Sequence, residues 1–332
     1  MFNLLYVLIG SEKNLYCEQC IISMLSARRN SPNSQIILLT DDLTNEYIQK
    51  HPLKKLIYDL AHIVSVPCPP NFSAKERSRY LKTSMRHYVQ GDILFIDCDT
   101  IVCAPLDEIE SLNVDFGAVL DQHMQLSSST HYYTTKKNIE LAGDLKIKEL
   151  PSENFFNSGV LWIRDTEDNH VFFKQWHENW LASRNRGITS DQPSLYLTNQ
   201  GTSCKIKEID GKWNCQVWFA ARYLNSAKIV HYFSSMTDFT GEYSKFSVEL
   251  PMKLKRGECL NESDWLLIEN AKGAFPSPNA IICGNDYEIY RSSLCGVLRA
   301  VYKRKMIFRL LESILYGIRM LRSRVIQKYF LR

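Results

Sequence analysis

Two acids stand two residues apart where an apolar run ends. In the stretch GDILFIDCDTIVCAPLD, Gly91 to Asp107, residues 93–96 are branched and aromatic and predict a fully buried strand. The run stops at Asp97-Cys98-Asp99. In an extended chain, residues two apart face the same side, so Asp97 and Asp99 can present both carboxylates together. The C-terminal end of a strand is where open α/β sheets hold ligands. Two neighbouring carboxylates repel and raise each other's pKa. A hard divalent cation, Mg²⁺ or Mn²⁺, neutralises the pair and brings substrate phosphates as further ligands. The same pattern also fits a polar strand end entering a loop.

The elements around this stretch alternate. Residues 4–9 predict a buried strand and residues 14–29 a helix. A second strand spans 35–39, closed by Thr40-Asp41-Asp42, and a short helix follows from Thr44. A third strand spans 62–66, a basic helix spans 73–88, and the strand before Asp97 comes next. This β-α-β-α-β order over about 100 residues predicts a parallel sheet with right-handed crossovers. There is no G-x-G-x-x-G and no Walker A loop, which disfavours dehydrogenases and kinases. Further on, residues 116–120 predict a strand ending in Asp121, and polar residues 122–150 predict a loop or short helical excursion. FFNSGVLWI, 155–163, predicts a strand in which Gly159 permits close backbone approach. Helices are expected over 171–183 and after Ser190-Asp191-Gln192, with Pro193 near the second one's start. KIVH, 228–231, predicts one more strand, ending in a histidine.

The chain of 332 residues is 45% hydrophobic and 11% aromatic, enough for a substantial core. It contains no run of roughly 18 apolar residues. The opening MFNLLYVLIGSEK lacks the marks of an export signal and is expected to be the first strand. Ten cysteines are scattered, and Cys17 and Cys20 have no second pair at zinc spacing. Half-buried thiols in a reducing cytoplasm are expected. Charge is uneven: Val297 to Arg332 holds ten Lys and Arg against one acid, so the remaining chain is mildly acidic although the total is +4. Residues 307, 310, 311, 314, 318, 321 and 325 fall on one helical face of this tail, among Lys and Arg. That combination predicts an interfacial helix on an anionic membrane. A helix packed on the domain or an oligomer contact is the other reading. No motif supports nucleic-acid binding.

The order of these pieces resembles the GT-A fold glycosyltransferases. The pieces are the N-terminal α/β unit with TDD, strand and D-x-D, strand and Asp, FNSGV, DQ, WN, and a late strand ending in His. The likeness is greatest to family 8 and the bacterial lipopolysaccharide and capsule transferases related to it, and it covers about residues 3–240. It implies an α/β, Rossmann-like and mostly parallel sheet with flanking helices. It implies a nucleotide-sugar donor, most often a UDP-sugar, a Mn²⁺ or Mg²⁺ ion, and retention of configuration. Asp97, Cys98 and Asp99 match the D-x-D segment, whose two acids ligate the metal, and His231 matches the third protein ligand. Imidazole tilts the choice toward manganese. Asp121, Asn157, Asp191 and Gln192 match positions that hold the sugar or line the reacting centre. Lys82, or Arg79 in the same helix, matches the cation facing the diphosphate. Gly10 and Ser11 end the first strand where base and ribose would lie.

One departure is clear. Family 8 usually follows the late His with a glycine and a lysine that grip the diphosphate, whereas here the run is HYFSSMTDFTGEY and the next lysine is Lys245. The expected organisation is a catalytic domain over 1–250, an extension over 251–296, and the basic amphipathic helical tail over 297–332. The expected partners are a nucleotide-sugar, a saccharide or lipid-linked acceptor, and the inner face of a membrane, reached from the cytoplasm. Two other functions share parts of the pattern: a catalytically silent relative that binds a nucleotide-sugar or partner, and a nucleotidyltransferase. The acids at 97, 99 and 191 speak against the first. GSEKNLY, a poor version of a Gly-rich basic loop, speaks against the second.

Overall fold

The computed structural model describes residues 2–129, 131–203, 205–217, 219, 221–234, 245–275, 292–302 and 304–315. In chain order the regular elements are β1 (Asn3–Leu8), α1 (Tyr16–Asn30), β2 (Gln35–Thr40), α2 (Asp42–Lys50), α3 (Lys54–Leu60), β3 (His62–Ser65), α4 (Ala74–Ser84), β4 (Ile93–Ile96), β5 (Thr100–Val102), β6 (Phe116–Leu120), α5 (Tyr132–Gly143) and β7 (Phe156–Ile163). They continue with α6 (Glu167–Asn185), α7 (Asp191–Gly201), β8 (Lys207–Glu208), β9 (Cys215–Gln216), β10 (Ile229–His231), α8 (Leu250–Lys255), α9 (Glu262–Glu269) and α10 (Ser293–Tyr302).

Seven strands form the main sheet in the order β3-β2-β1-β4-β7-β6-β8. The first four run parallel, and β7 alone runs antiparallel to both its neighbours. The reason lies in the apolar runs, which are buried on both faces. Leu4, Tyr6, Leu8, Leu94, Ile96 and Trp162 pack on the α1 side, and Leu5, Val7, Ile93, Phe95, Leu161 and Ile163 on the side of α4 and α6. Strands covered on both faces read as continuous hydrophobic runs, the mark of an α/β sheet. Cys17 and Cys20 lie fully inside the α1 side, not half-buried as expected.

Three local outcomes sharpen or correct the sequence expectation. The basic helix begins after the N-cap Ser73, whose hydroxyl and the Glu76 carboxylate form a capping box, and its regular part ends at Ser84 in a tight turn over residues 85–87. The polar 122–150 stretch contains a full helix, α5, whose buried Ile139 and Ala142 were too few to give a period. A small second sheet, β5-β10-β9, forms immediately after the acid pair; β10 matches the strand expected over 228–231, whereas β5 and β9, three and two residues long, are too short for a pattern.

The chain divides into two units. Residues 1–125 and 134–280 hold both sheets, and residues 126–133 and 281–332 form the other. Within the first unit, residues after the last strand return to α1: Gln19 Nε2 donates to the Ser247 carbonyl at 2.8 Å, and Arg29 pairs with Glu269 at 2.7 Å. In the second unit α10 is followed by helical residues 305–315, along which Met306, Ile307, Leu310, Ile314 and Leu315 are exposed. Residues 316–332 of the expected tail helix lie outside the described residues. Among the described residues no helix is long and apolar enough to cross a membrane.

Candidate active site at the C-terminal edge of the sheet

The acid pair is positioned by the two sheets together. The Asp97 backbone N–H continues the β4–β7 ladder by donating to the Gly159 carbonyl at 2.8 Å. Three residues on, β5 pairs antiparallel with β10, and the register sets His231 opposite Thr100. The Tyr232 N–H donates to the Asp99 carbonyl at 3.1 Å, which ties the turn to the end of β10. One ligand atom from each of Asp97, Asp99 and His231 therefore lies within 4.8 Å of the others. His231 Nε2 is 3.3 Å from Asp99 Oδ1, while Asp99 Oδ2 accepts the Ser234 N–H at 2.9 Å. Cys98, between the acids, turns the other way and places Sγ 3.4 Å from the Val7 carbonyl.

Two cations arrive on α4. Positions 79 and 82 share a helix face. Arg79 Nε lies 2.9 Å from Asp191 Oδ1. Lys82 Nζ lies 3.1 Å from Asp97 Oδ1 and 3.6 Å from Asp191 Oδ2, and also sits over the Phe95 ring. Lys82 and Arg79 are thus both at the site. Asp191 opens α7, where the helix dipole favours an anion, and it accepts the Ser158 hydroxyl at 2.6 Å. Burial opposes its charge, but Lys82, Arg79 and Ser158 outweigh burial and hold the carboxyl well below the usual range. Asp99 behaves alike: burial opposes ionisation, and His231 and the Ser234 N–H overcome it. At Asp97 burial wins over Lys82, and its carboxyl is raised.

A second cluster adjoins on β6 and β7. Asp121 Oδ1 accepts Asn157 Nδ2 at 2.8 Å and Gln192 Nε2 at 3.3 Å. Burial raises the Asp121 carboxyl despite these donors. The backbone here is strained, with Gln122 and His123 at φ 57° and 55°. Gln216 holds it: its Oε1 accepts the Gln122 N–H at 2.8 Å, and its own N–H donates to His123 Nε2 at 3.0 Å. Gly10 and Ser11 lie past the end of β1, on the same sheet edge as Asp97 because β1 and β4 are parallel neighbours. The Gly10 N–H donates to Thr44 Oγ1 at 3.1 Å. Lys245 is exposed, beyond residues 235–244, which lie outside the described set.

Sequence reasoning missed Asn214, Gln216 and Ser158 as parts of this site. Asn214 is fully buried between His231 and Asn157. The WN pair and the serine of FNSGV were visible, but nothing local says which way an amide or hydroxyl turns. At Gly159 the close neighbour is the His231 ring: a Cβ there would fall 2.4 Å from His231 Cε1.

The Glycosyl transferase family 8 model matches residues 7–236, a span that contains every candidate residue from Gly10 to His231. Among solved structures, the galactosyltransferase LgtC in complex with donor and acceptor sugar analogues is 14% identical, with a TM-score of 0.51. The alignment covers 80% of this chain and 100% of that one. The bifunctional glycosyltransferase WbbM in its apo form is 13% identical, with a TM-score of 0.50, and 77% of this chain covers 51% of that one. At these identities the likeness concerns the fold. No curated protein matches the sequence.

Proposed function

Because this chain belongs to glycosyl transferase family 8, and so is a glycosyltransferase drawing on a nucleotide-sugar donor, we propose that the donor is a UDP-sugar. Its sugar passes with retention to a saccharide or lipid-linked acceptor in surface polysaccharide or lipopolysaccharide assembly. The observation that carries this reading is the convergence of Asp97, Asp99 and His231 within 4.8 Å, flanked by Lys82 and Arg79. Two carboxylates and an imidazole fit Mn²⁺, with Mg²⁺ the second choice. Held by these three residues, the ion would stabilise the charge of the departing diphosphate.

The chain's own groups complete the assignment. Lys82 and Arg79 supply fixed positive charge toward the diphosphate. Gly10 and Ser11 receive base and ribose, and Cys98 sets the turn between the two acids. Asp121, Asn157 and Gln192 hold the sugar hydroxyls. Asp191 is already shared by two cations and a hydroxyl. That arrangement suits orienting the cations beside the anomeric carbon better than attacking it. Residues 1–250 are proposed as the catalytic domain, 251–296 as its extension and 297–332 as the tail.

The deciding experiment is donor hydrolysis with Mn²⁺ across UDP-, GDP- and CMP-sugars. Turnover is expected with a UDP-sugar and is expected to vanish in Asp97→Ala and Asp99→Ala, along with metal-dependent donor binding. Near-normal titration curves for those variants would refute the metal site. For the tail we propose docking on an anionic membrane surface at the cytoplasmic face. Exposed Leu310 and Ile314 lie among Arg304, Lys305 and Arg309.

A further inference from the structure

His231 has two ring nitrogens and two acceptors waiting for one proton. Nε2 faces Asp99 Oδ1 at 3.3 Å, and Nδ1 faces Asn214 Oδ1 at 3.1 Å. A neutral imidazole with its proton on Nε2 would donate to Asp99 and have no lone pair for a cation. With the proton on Nδ1, the Nε2 lone pair is free.

The choice is made two residues away. The Gly159 backbone N–H can only donate, and it reaches Asn157 Oδ1 at 2.9 Å. That contact fixes the Asn157 amide, which turns Nδ2 toward Asp121 Oδ1 at 2.8 Å. The Asn214 atom 2.9 Å from the same Asn157 Oδ1 is therefore its donor, Nδ2. Its remaining atom, Oδ1, is an acceptor and points at His231 Nδ1. Asn214 is completely buried and Asn157 nearly so, which keeps water from substituting in the relay. The ring itself has little freedom, since it stacks on Phe233 at 4.0 Å with a 6° interplanar angle and rests against Gly159.

We propose that Asn214 is a positioning residue that holds His231 as the Nδ1–H tautomer, through an amide relay anchored on the Gly159 N–H and the Asp121 carboxylate. The inference rests on the reading of Asp97, Asp99 and His231 as a cation site. It adds that Asn214, by accepting the Nδ1 proton, leaves the Nε2 lone pair for a cation held together with Asp97 and Asp99. A metal-binding histidine whose second nitrogen is so engaged gains orientation and basicity.

The test begins with the metal-free full chain, ¹⁵N-labelled at histidine, at mildly alkaline pH. The His231 ring signals are assigned by their loss in His231→Gln. The proton is expected on Nδ1 in the wild type. It is expected to move to Nε2 in Asn214→Leu and to stay on Nδ1 in Asn214→Asp, which retains an acceptor. Mn²⁺ affinity measured with UDP present should fall about 10- to 100-fold in Asn214→Leu. A wild-type proton on Nε2, or a tautomer unchanged by Asn214→Leu, overturns the proposal. The wild-type spectrum decides even where the leucine variant does not fold. Wild-type Mn²⁺ affinity equal to that of His231→Gln would sink the cation reading instead, while the ring spectrum still reports on the relay.

Discussion

At Gly159 a single methyl group would reach the centre of the site. The Cβ of Gly159→Ala would stand 2.4 Å from His231 Cε1 and 2.8 Å from Nδ1, closer than real Cβ contacts come. Overpacking of this kind costs about 1–3 kcal/mol, and the ring is already stacked on Phe233. The expected result is a lower melting temperature together with Mn²⁺ affinity reduced at least about tenfold, as for other displaced supports of a metal ligand. Lys82, 2% exposed, answers both Asp97 and Asp191. Removing one partner of a fully buried pair costs about 3–5 kcal/mol. Lys82→Met should cost somewhat less in chemical denaturation, because Arg79 still faces Asp191 and Asp97 is partly solvated. His123 makes a pH prediction. Burial, with Arg222 nearby, pushes its pKa down to about 3, and its Nε2 must stay unprotonated to accept the Gln216 N–H. The unfolded chain takes up that proton near pH 6.5. Stability is therefore lost as pH falls from about 6.5, by up to about 1.4 kcal/mol per unit, until the folded pKa is reached. His123→Gln should flatten the melting temperature between pH 6.5 and 4, an acceptor being retained.

Among the elements, α4 links local sequence to the site most directly. Ser73 and Glu76 close its first turn by a capping box, and Glu76 also pairs with Arg184 of α6 at 2.6 Å. Since Arg79 and Lys82 ride one and two turns further on, the cap sets where their charges stand. Ser73→Ala is expected to destabilise the protein by about 1 kcal/mol. It should weaken donor binding, read as a rise in KM, while leaving kcat nearly constant. The β4–β7 pair is the other such element. Its antiparallel register places the Gly159 carbonyl against the Asp97 N–H, so the acids and the Asn157-Ser158-Gly159 segment are delivered to one edge by a single ladder.

For the whole molecule, charge is partitioned between a mildly acidic body and a strongly basic C-terminal segment. Exposed apolar side chains from Leu294 to Leu315 accompany that segment. Deleting residues 297–332 should abolish sedimentation with anionic vesicles and leave hydrolysis of a soluble donor intact. Binding by the full chain should weaken as salt is raised, because the attraction is screened over about 10 Å at ordinary ionic strength. Vesicle binding undiminished by the deletion would rule out the membrane role.

The continuous apolar runs of β1, β2 and β4, and the acids placed immediately after the last of them, are local patterns. A buried strand is hydrophobic whatever its partner, and residues two apart share a side. The α/β class, the parallel half-sheet and the Asp97–Asp99 pair were therefore legible in the chain alone, and the order of the later motifs carried the family. Of the groups that close around that pair, His231, Lys82, Arg79 and Asp191 were named through the family resemblance alone, and Asn214, Gln216 and Ser158 were not named as site residues at all. His231 meets Asp99 only through the β5–β10 register, and Asn214, Gln216 and Ser158 acquire their partners across 57, 94 and 33 residues of chain. Hydrophobic period is written residue by residue, whereas the direction of an amide or the owner of a ring proton is set by whatever donor the folded chain brings opposite.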